Sequence, residues 1–165
     1  MAKLYIKQKV FSWKDRFSVF NSLGEDVYRV EGEVISLGKK LHVYDLNDEE
    51  VAFIHQKVLS FLPKYYIARN GSDVAEVVKK LTFLKAKYEI PAFGWTVQGN
   101  FTDHAYTVAS DEGVVATVSK RWFTWGDTYE IDTAAGTDPL NVLCVVLIID
   151  AVMASQAAAA AAASN

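Results

Sequence analysis

Cysteine is nearly absent from this sequence of 165 residues, which contains only Cys144. A single cysteine excludes an internal disulfide framework and a zinc site built from several cysteines. No secretory signal peptide is recognisable at the amino terminus, so we expect a reducing, cytoplasmic location. An excess of positive charge is also missing, because the chain has 17 Lys and Arg and 20 Asp and Glu. The resulting net charge of -3 argues against a nucleic-acid partner.

The usual catalytic motifs are absent as well. The chain has no GxSxG, GxGxxG or GxxxxGK[ST] pattern, which serine hydrolases, dinucleotide-binding proteins and nucleotide-binding proteins need. The histidines His42, His55 and His104 show no zinc-binding spacing, so no metal site is predicted, and we interpret His55 as a packed or surface histidine. We therefore expect a protein that is not an enzyme and has no cofactor. An enzyme of another type would need a polar cleft on which carboxylates or His104 converge.

Three carboxylates and the lone cysteine are the remaining candidates for chemistry. Asp127, Glu130 and Asp132 could act as paired carboxylates, and Glu130 and Asp132 share one face of a predicted strand. We interpret them as side chains on a solvated outer wall. Cys144 lies among Leu and Val residues, and we interpret it as a core residue, because apolar burial raises the pKa of a thiol.

An internal repeat is the strongest pattern that is present. The stretches Val51-Ala52-Phe53-Ile54, Val74-Ala75-Glu76-Val77 and Val115-Ala116-Thr117-Val118 share their Val-Ala start, and a tyrosine follows each at the same distance. Weaker copies extend the repeat to six units with a period of 20–24 residues. The anchor positions of the units are Ile6, Val30, Ile54, Val77, Val97 and Val118.

Each unit ends on two apolar residues separated by one position. These pairs are Phe17/Val19, Leu41/Val43, Tyr65/Ile67, Tyr88/Ile90, Tyr106/Val108 and Tyr129/Ile131. A period of two with β-branched and aromatic residues indicates strands, so each unit is predicted to be a hairpin. The dipeptide Asn70-Gly71 favours a tight two-residue turn. The sequence predicts twelve mostly antiparallel strands.

The carboxyl-terminal part changes to a helical pattern. Asp138 can cap a helix, Pro139 fits its first position, and residues 140–153 are apolar on nearly every face. Such a helix must be buried on all sides. Three placements are open: a transmembrane helix, which Asn141 and Asp150 disfavour, a helix on one face of an open sheet, or a helix inside a barrel.

Geometry favours the barrel. Twelve strands about 4.8 Å apart and tilted by about 40° close into a cylinder of roughly 12 Å radius. A helix with its side chains has a radius of about 5–6 Å, and half the spacing between packed layers adds about 5 Å. The radius of the cylinder therefore matches the sum of the helix radius and the half-spacing. The composition, with 51% hydrophobic, 13% aromatic and 22% charged residues, suits one compact domain.

Four features point to a known family: the six-hairpin repeat, the segment Phe53-Ile54-His55-Gln56-Lys57, the segment from Trp122 to Ile131 and the apolar terminal helix. Together they resemble the LURP-one-related proteins of the tubby-like superfamily. The resemblance covers about residues 3–153. It implies a mainly β (α+β) fold, a closed twelve-stranded antiparallel barrel around a central carboxyl-terminal helix at about 138–153. It implies no catalytic residues. Residues 1–153 are then one domain, and the alanine-rich segment 154–165 is expected to extend the helix or form a tail without function.

Charge is expected to differ between the two ends of this barrel. The turns inside units, at 10–16, 35–40, 58–64, 81–87, 101–105 and 122–128, hold seven Lys or Arg and three Asp, a net charge of +4. The turns between units, at 21–27, 47–51, 70–74, 91–95 and 110–114, hold eight Asp or Glu and no Lys or Arg, a net charge of -8. In an up-and-down barrel, these two sets of turns lie at opposite ends.

The positive end also carries large apolar side chains. They are Phe11, Trp13, Leu37, Phe61, Leu62, Phe83, Leu84, Trp122, Phe123 and Trp125. Aromatic and basic residues on loops are typical of surfaces that contact anionic lipid, so we expect an interaction module that binds acidic phospholipid headgroups at the inner face of a membrane. The candidate binding residues are Trp13, Lys14, Arg16, Lys39, Lys40, Lys64, Lys85 and Lys87.

An alternative assigns these side chains a structural role. The large apolar residues would plug the barrel end, and the lysines would limit aggregation. The protein would then act as an adaptor that binds a protein partner through an exposed strand face or through the acidic end.

Overall fold

Twelve β-strands and one long α-helix form the part of the chain that a computed structural model describes. This part comprises residues 2–7, 16–33, 36–83, 85–123 and 126–164, and the side chains of residues 122–127 lie outside it. The strands are β1 Ala2–Lys7, β2 Arg16–Phe20, β3 Asp26–Gly32, β4 Lys40–Tyr44, β5 Glu50–Gln56, β6 Lys64–Arg69, β7 Ser72–Leu81, β8 Ala86–Ile90, β9 Trp95–Asn100, β10 Ala105–Ser110, β11 Gly113–Phe123 and β12 Gly126–Thr133. A short 3-10 helix at Pro91–Phe93 precedes β9, and α1 spans Pro139–Ala163.

The strands form one closed barrel. Each strand pairs antiparallel with the next one in the chain, and β1 pairs with β12 from Ala2↔Thr133 to Lys7↔Thr128. Closure leaves no edge strand among the twelve described strands. The predicted closed twelve-stranded barrel is confirmed, and the open-sheet alternative is wrong.

The repeat explains why the strands keep their register. All six anchor residues of the repeat lie on odd-numbered strands and are buried, and Ile54 pairs with Leu41 on β4 and with Ile67 on β6. Because side chains alternate between faces, the same spacing in each unit directs one apolar set toward the lumen. The turn at Asn70-Gly71 has positive φ angles of 53° and 78°, as the predicted two-residue turn requires.

The helix α1 fills the lumen. Every residue from Val142 to Ile149 is at most 1% exposed, and these side chains form one core with the inward residues of the strands. By length and composition α1 could cross a membrane, but its apolar part is enclosed by the barrel. An apolar helix of this kind provides packing partners for the whole inner wall.

The helix enters at one end of the barrel and leaves at the other. At its start, the Asp138 side chain accepts a hydrogen bond of 2.9 Å from the backbone N–H of Leu140, and Pro139 occupies the first turn, as predicted. Arg69 on β6 donates to Asp138 at 3.1 Å and to Asn141 at 2.9 Å. The helix continues to Ala163, so the alanine-rich segment extends the helix, which was one of the expectations for it, because alanines favour helix and no stop signal intervenes.

Candidate anion-binding site at one end of the barrel

The up-and-down topology separates the turns of the chain into two groups. One end, which we call the basic end, is formed by residues 33, 36–39, 57–63, 82–83, 85 and 101–104, which include three lysines and two acids, Glu33 and Asp103. The other, the acidic end, is formed by residues 21–25, 45–49, 70–71, 91–94, 111–112 and 134–138, which include seven Asp or Glu and no Lys or Arg. The helix starts at the acidic end, so its exposed segment from Gln156 to Ala163 emerges at the basic end.

Most of the predicted binding residues that the structure describes are paired with acids. Trp13 and Lys14 lie outside the described residues. Four of the other six form ion pairs: Arg16 with Glu31, Lys40 with Glu33 at 3.8 Å, Lys64 with Glu76 at 2.7 Å, and Lys87 with Glu89 at 3.1 Å. These acids lie on strands or just beside them, so the turn count omitted them. The positive charge of this end is therefore smaller than +4.

The two remaining candidates differ in their surroundings. Lys39 is partly buried, which lowers its pKa, and its backbone N–H donates to the Gln56 side chain at 3.1 Å. Lys85 is exposed and makes no ion pair with any described residue. The structure thus spreads the described candidates around the barrel, with Lys39 and Lys40 on the β3–β4 hairpin and Lys85 and Lys87 on the β7–β8 hairpin.

The hairpin of β7 and β8 concentrates positive charge. It carries Lys79, Lys80, Lys85 and Lys87, and Lys80 and Lys87 lie directly opposite each other across the strands. Like charges at such a position repel each other, and the ion pair of Lys87 with Glu89 offsets part of this repulsion. Burial alternates along β7, so Lys79 points inward while Lys80 is exposed. Sequence analysis missed both residues, because they lie on a strand and not in a turn.

The tip of the same hairpin exposes apolar side chains. Phe83 is 100% exposed and Leu81 is 65% exposed. On the neighbouring connection between β5 and β6, Phe61 and Leu59 are also almost fully exposed. These exposed apolar side chains therefore lie at the same end of the barrel as the lysines of the β7–β8 hairpin.

A cleft of about 920 Å³ opens beside this hairpin at the basic end. Lys79, Lys85 and Lys87 line one side, Gln98 and Gly99 on β9 line another, and Met153 and Gln156 of the emerging helix complete it. No Asp or Glu lies among the described residues that line the cleft. The arrangement can therefore hold an anion.

A second polar cluster lies inside the barrel near the cleft. Asp150 of α1 accepts a hydrogen bond from the hydroxyl of Tyr129 on β12, and its Oδ1 lies 3.3 Å from Nε2 of His104. The rings of His104 and Tyr129 stack with centroids 4.3 Å apart. Burial, reinforced by Asp150, raises the pKa of Tyr129 well above its ordinary value, so its hydroxyl stays protonated. Through these contacts, Asp150 connects α1 to Tyr129 and His104 of the barrel.

This convergence of His104 on a carboxylate was not visible in the sequence, because Asp150 lies 46 residues from His104. Its only sequence signal is that Asp150 is the one charged residue in an otherwise apolar helix. The hydrogen bonds described for it go to side chains of the protein itself, which indicates a structural role.

The interpretation of Glu130 as a solvated side chain is wrong. Glu130 is 5% exposed and accepts hydrogen bonds from Tyr5 at 2.7 Å, Arg121 at 3.0 Å and Lys3 at 3.3 Å. Burial alone would raise its pKa, but these hydrogen bonds outweigh burial and lower the pKa. Asp132 is partly exposed and lies 3.5 Å from Lys3, and the side chain of Asp127 lies outside the described residues.

Cys144 is a core residue, as predicted. It is 0% exposed, and burial raises the pKa of its thiol to about 12. The thiol therefore stays protonated at neutral pH and is not a nucleophile.

Two histidines form part of a row of rings on the outer wall. Phe53 stacks between His42 and His55, with centroids 4.8 Å and 5.3 Å away. His42 hydrogen-bonds to Glu50 and, at 2.8 Å, to Glu33, whereas His55 hydrogen-bonds to Asp73 at 2.7 Å. Among the described residues, no three His, Cys, Asp or Glu side chains form a group that could hold a metal ion.

His42 makes stability depend on pH. Burial lowers its pKa, but the hydrogen bonds to Glu50 and Glu33 outweigh burial and raise the pKa above its ordinary value. A raised pKa in the folded state stabilises the protein below the unfolded value of about 6.5, and this stabilisation disappears as the pH rises through the folded value. We expect the free energy of unfolding to fall above about pH 6.5 and the His42→Gln variant to show a flatter curve in urea titrations.

The Phe53→Leu variant is the matched control, because Phe53 stacks on His42 in the same row of rings and carries no titratable group. It should keep the slope of the wild type. If His42→Gln and the wild type had the same slope, the assignment to His42 would be wrong.

Comparisons with known proteins agree with this architecture. The model of a family described as LURP-one-related matches residues 2–150. The uncharacterized protein YxjI of Bacillus subtilis (strain 168) is 35% identical over 153 residues, which cover 93% of this chain and 94% of that protein. The X-ray structure of a protein from Arabidopsis thaliana superposes with a TM-score of 0.65 at 16% identity, covering 92% of this chain and 90% of that one.

Proposed function

Because the chain belongs to the LURP-one-related family and has the tubby-like fold, its function must be inferred from features of this barrel, and we propose that it is a non-catalytic module whose basic end binds anionic phospholipid headgroups. The protein would then be a cytoplasmic one that associates peripherally with the inner face of a membrane.

The observation that carries this proposal is the composition of the β7–β8 hairpin. Lys80 and Lys85 are exposed and make no ion pair with any described residue, and Phe83 projects between them at the tip. A lysine near an anionic leaflet contributes about 1 kcal/mol of binding free energy, and an aromatic ring is favourable at headgroup depth.

The remaining features of the barrel agree with one orientation. Phe61 and Leu59 are exposed on the neighbouring connection and could enter the headgroup region together with Phe83. The acidic end would be repelled by the same surface, so it would point away from the membrane while the basic end faces it. Because few lysines are unpaired, we expect weak binding that fades as salt screens the charges.

Removal of the two unpaired lysines tests the electrostatic part of the proposal. We expect the double variant Lys80→Gln, Lys85→Gln to bind phosphatidylcholine vesicles containing phosphatidylserine roughly ten- to thirty-fold more weakly, from about 1 kcal/mol per lysine. Co-sedimentation at low salt measures the affinity. Neither substitution breaks an ion pair with a described residue, so the fold should be unaffected.

The matched control lowers the net charge by the same amount at the other end of the barrel. Ser22 and Asn47 are exposed at the acidic end, and the double variant Ser22→Glu, Asn47→Glu also lowers the net charge by two. It should bind within about twofold of the wild type, since those positions lie far from the membrane. Equal losses in both double variants, or equal binding to neutral vesicles, would refute the proposal.

The adaptor function stays a prediction that this experiment also addresses. Binding to no vesicle of any composition would favour the alternative, an adaptor that binds a protein partner through an exposed strand face or through the acidic end.

A further inference from the structure

The strands β8 and β9 separate before they reach the basic end of the barrel. Their pairing ends at Tyr88↔Val97. Both strands continue beyond this pair, but no pair is formed between residues 86–87 and residues 98–100, all of which the structure describes. Each segment keeps its partner on the other side, which is β7 or β10. The wall is therefore open between β8 and β9, and this opening forms the cleft at the basic end.

Burial along β9 agrees with this opening. Inward and outward side chains alternate along a strand, and Val97 is a buried residue of the core. Gln98, Gly99 and Asn100 are all exposed, although the alternation directs Gly99 to the same side as Val97. Solvent therefore reaches both faces of β9 at this end.

The open side of β8 presents backbone hydrogen-bonding groups. At the hairpin tip, the N–H of Thr82 donates to the carbonyl of Lys85 at 2.9 Å. Because hydrogen-bonded and non-hydrogen-bonded pairs alternate along an antiparallel ladder, the next pair, Leu81↔Ala86, is non-hydrogen-bonded. The N–H and C=O groups of Ala86 thus point away from β7 and into the opening. Unpaired groups of this kind are a template for a further strand.

The residues that line the opening determine which side chains suit an added strand. On the inner side lie Met153 and Gln156 of α1, and Met153 packs against the core. On the β8 side lie Lys85 and Lys87, and no Asp or Glu occurs among the described lining residues. Lys87 pairs with Glu89, but Lys85 makes no ion pair with any described residue. Apolar side chains therefore suit the inner face of an added strand, and acidic ones suit its outer face.

We propose that this opening binds an extended peptide segment of a protein partner, which pairs with β8 at Ala86 and alternates apolar and acidic side chains. In this mode of recognition, main-chain hydrogen bonds give affinity and alternate side chains give specificity. A residue in a packed strand fills about 160 Å³, from a strand spacing of about 4.8 Å, a rise of about 3.3 Å and a layer of about 10 Å. The cleft of about 920 Å³ thus has room for about five residues.

This inference concerns a protein partner and goes beyond membrane docking. The membrane proposal depends on the side chains of Lys80 and Phe83, neither of which lines the cleft. Peptide binding depends on the backbone of β8 and needs no bilayer. The two proposals can therefore fail separately.

Peptides that differ only in their backbone provide the test. The test peptide is a blocked octapeptide of alternating valine and glutamate, and two control peptides carry N-methyl groups on all valines or on all glutamates. Calorimetric titration of the wild type without vesicles should show saturable binding of the test peptide. At least one N-methylated control should bind about tenfold more weakly or worse, because one edge of its backbone can no longer donate hydrogen bonds. Replacement of glutamate by glutamine should weaken binding by about two- to fivefold.

Substitutions at Ala86 locate the pairing. Ala86→Pro removes the N–H that points into the opening and should weaken binding of the test peptide by about fivefold, as expected for one lost hydrogen bond. The control Ala86→Ser keeps this N–H and should bind within about twofold of the wild type. Hydrogen exchange of the wild type measures the same contact without any substitution. The amide of Ala86 should become protected when the test peptide is added, whereas that of Gly71 at the acidic end should not.

Three results would overturn the inference: no saturable binding of the test peptide, equal binding of the test peptide and both N-methylated controls, or no protection of the Ala86 amide. If the protein bound anionic vesicles but not the test peptide, this inference would be wrong and the membrane proposal would stand.

Discussion

The Ile148→Asp variant is expected to lose its folded structure. Ile148 is 1% exposed in the middle of α1 and lies inside the barrel. Loss of an apolar side chain of this size costs about 2–5 kcal/mol, and a buried charge with no partner costs several more. Since the stability of a domain is typically about 5–15 kcal/mol, the sum removes most or all of it. Circular dichroism and thermal unfolding measure the loss.

Two control variants separate burial from helix chemistry. Ile148→Val keeps the apolar environment and should cost only about 0.5–1.5 kcal/mol. Ala157→Asp places the same carboxylate on the exposed part of the same helix and should change stability by no more than about 0.5 kcal/mol. A soluble Ile148→Asp variant that unfolds at the temperature of the wild type would contradict a helix inside the barrel.

The Gly99→Ala variant is expected to show the second-largest effect. Gly99 on β9 has a φ of +141°, which side chains rarely adopt, and a Cβ there would lie 2.5 Å from Cα of Tyr106 and 2.6 Å from the carbonyl oxygen of Ala105. These are backbone atoms of β10, so they cannot move away as a flexible side chain would. The backbone strain costs about 1–3 kcal/mol, and overpacking adds about 1–3 kcal/mol.

Gly113→Ala is the matched control for this prediction. Gly113 has a similar φ of +131°, but a Cβ there would meet no atom within 4 Å. It should therefore show the strain cost without the overpacking cost. Urea unfolding of both variants measures the difference, and equal destabilisation would show that β9 and β10 do not approach each other this closely.

The fold could be predicted because the repeat encodes it several times. Ile54 and Val77 occupy equivalent positions in neighbouring units, and each is buried on the same face of its strand. A period of two leaves little freedom for the register, since a shift by one residue would expose every anchor. Residues 140–153 are apolar on nearly every face and need burial on all sides, and a barrel of the expected radius provides it in its lumen.

The site was harder to predict, because it depends on contacts between strands. Turn residues alone indicated the basic end, but the pairing of Lys64 with Glu76 follows from the register of β6 and β7, which the turn count ignored. The inward position of Lys79 could have been found from its alternation with Ala75 and Val77. Burial of Glu130, in contrast, depends on Tyr5 and Lys3 at the other end of the chain.

A fluorescent reporter at the hairpin tip tests the central claim most directly. Because Cys144 is buried and burial raises its pKa to about 12, an environment-sensitive dye should label only the new thiol of Phe83→Cys or of Leu46→Cys. Phe83 lies at the basic end, whereas Leu46 is exposed at the acidic end. With vesicles containing phosphatidylserine, we predict a blue shift for the dye at position 83 and none at position 46. No shift at position 83, or an equal shift at both positions, would contradict docking through the basic end.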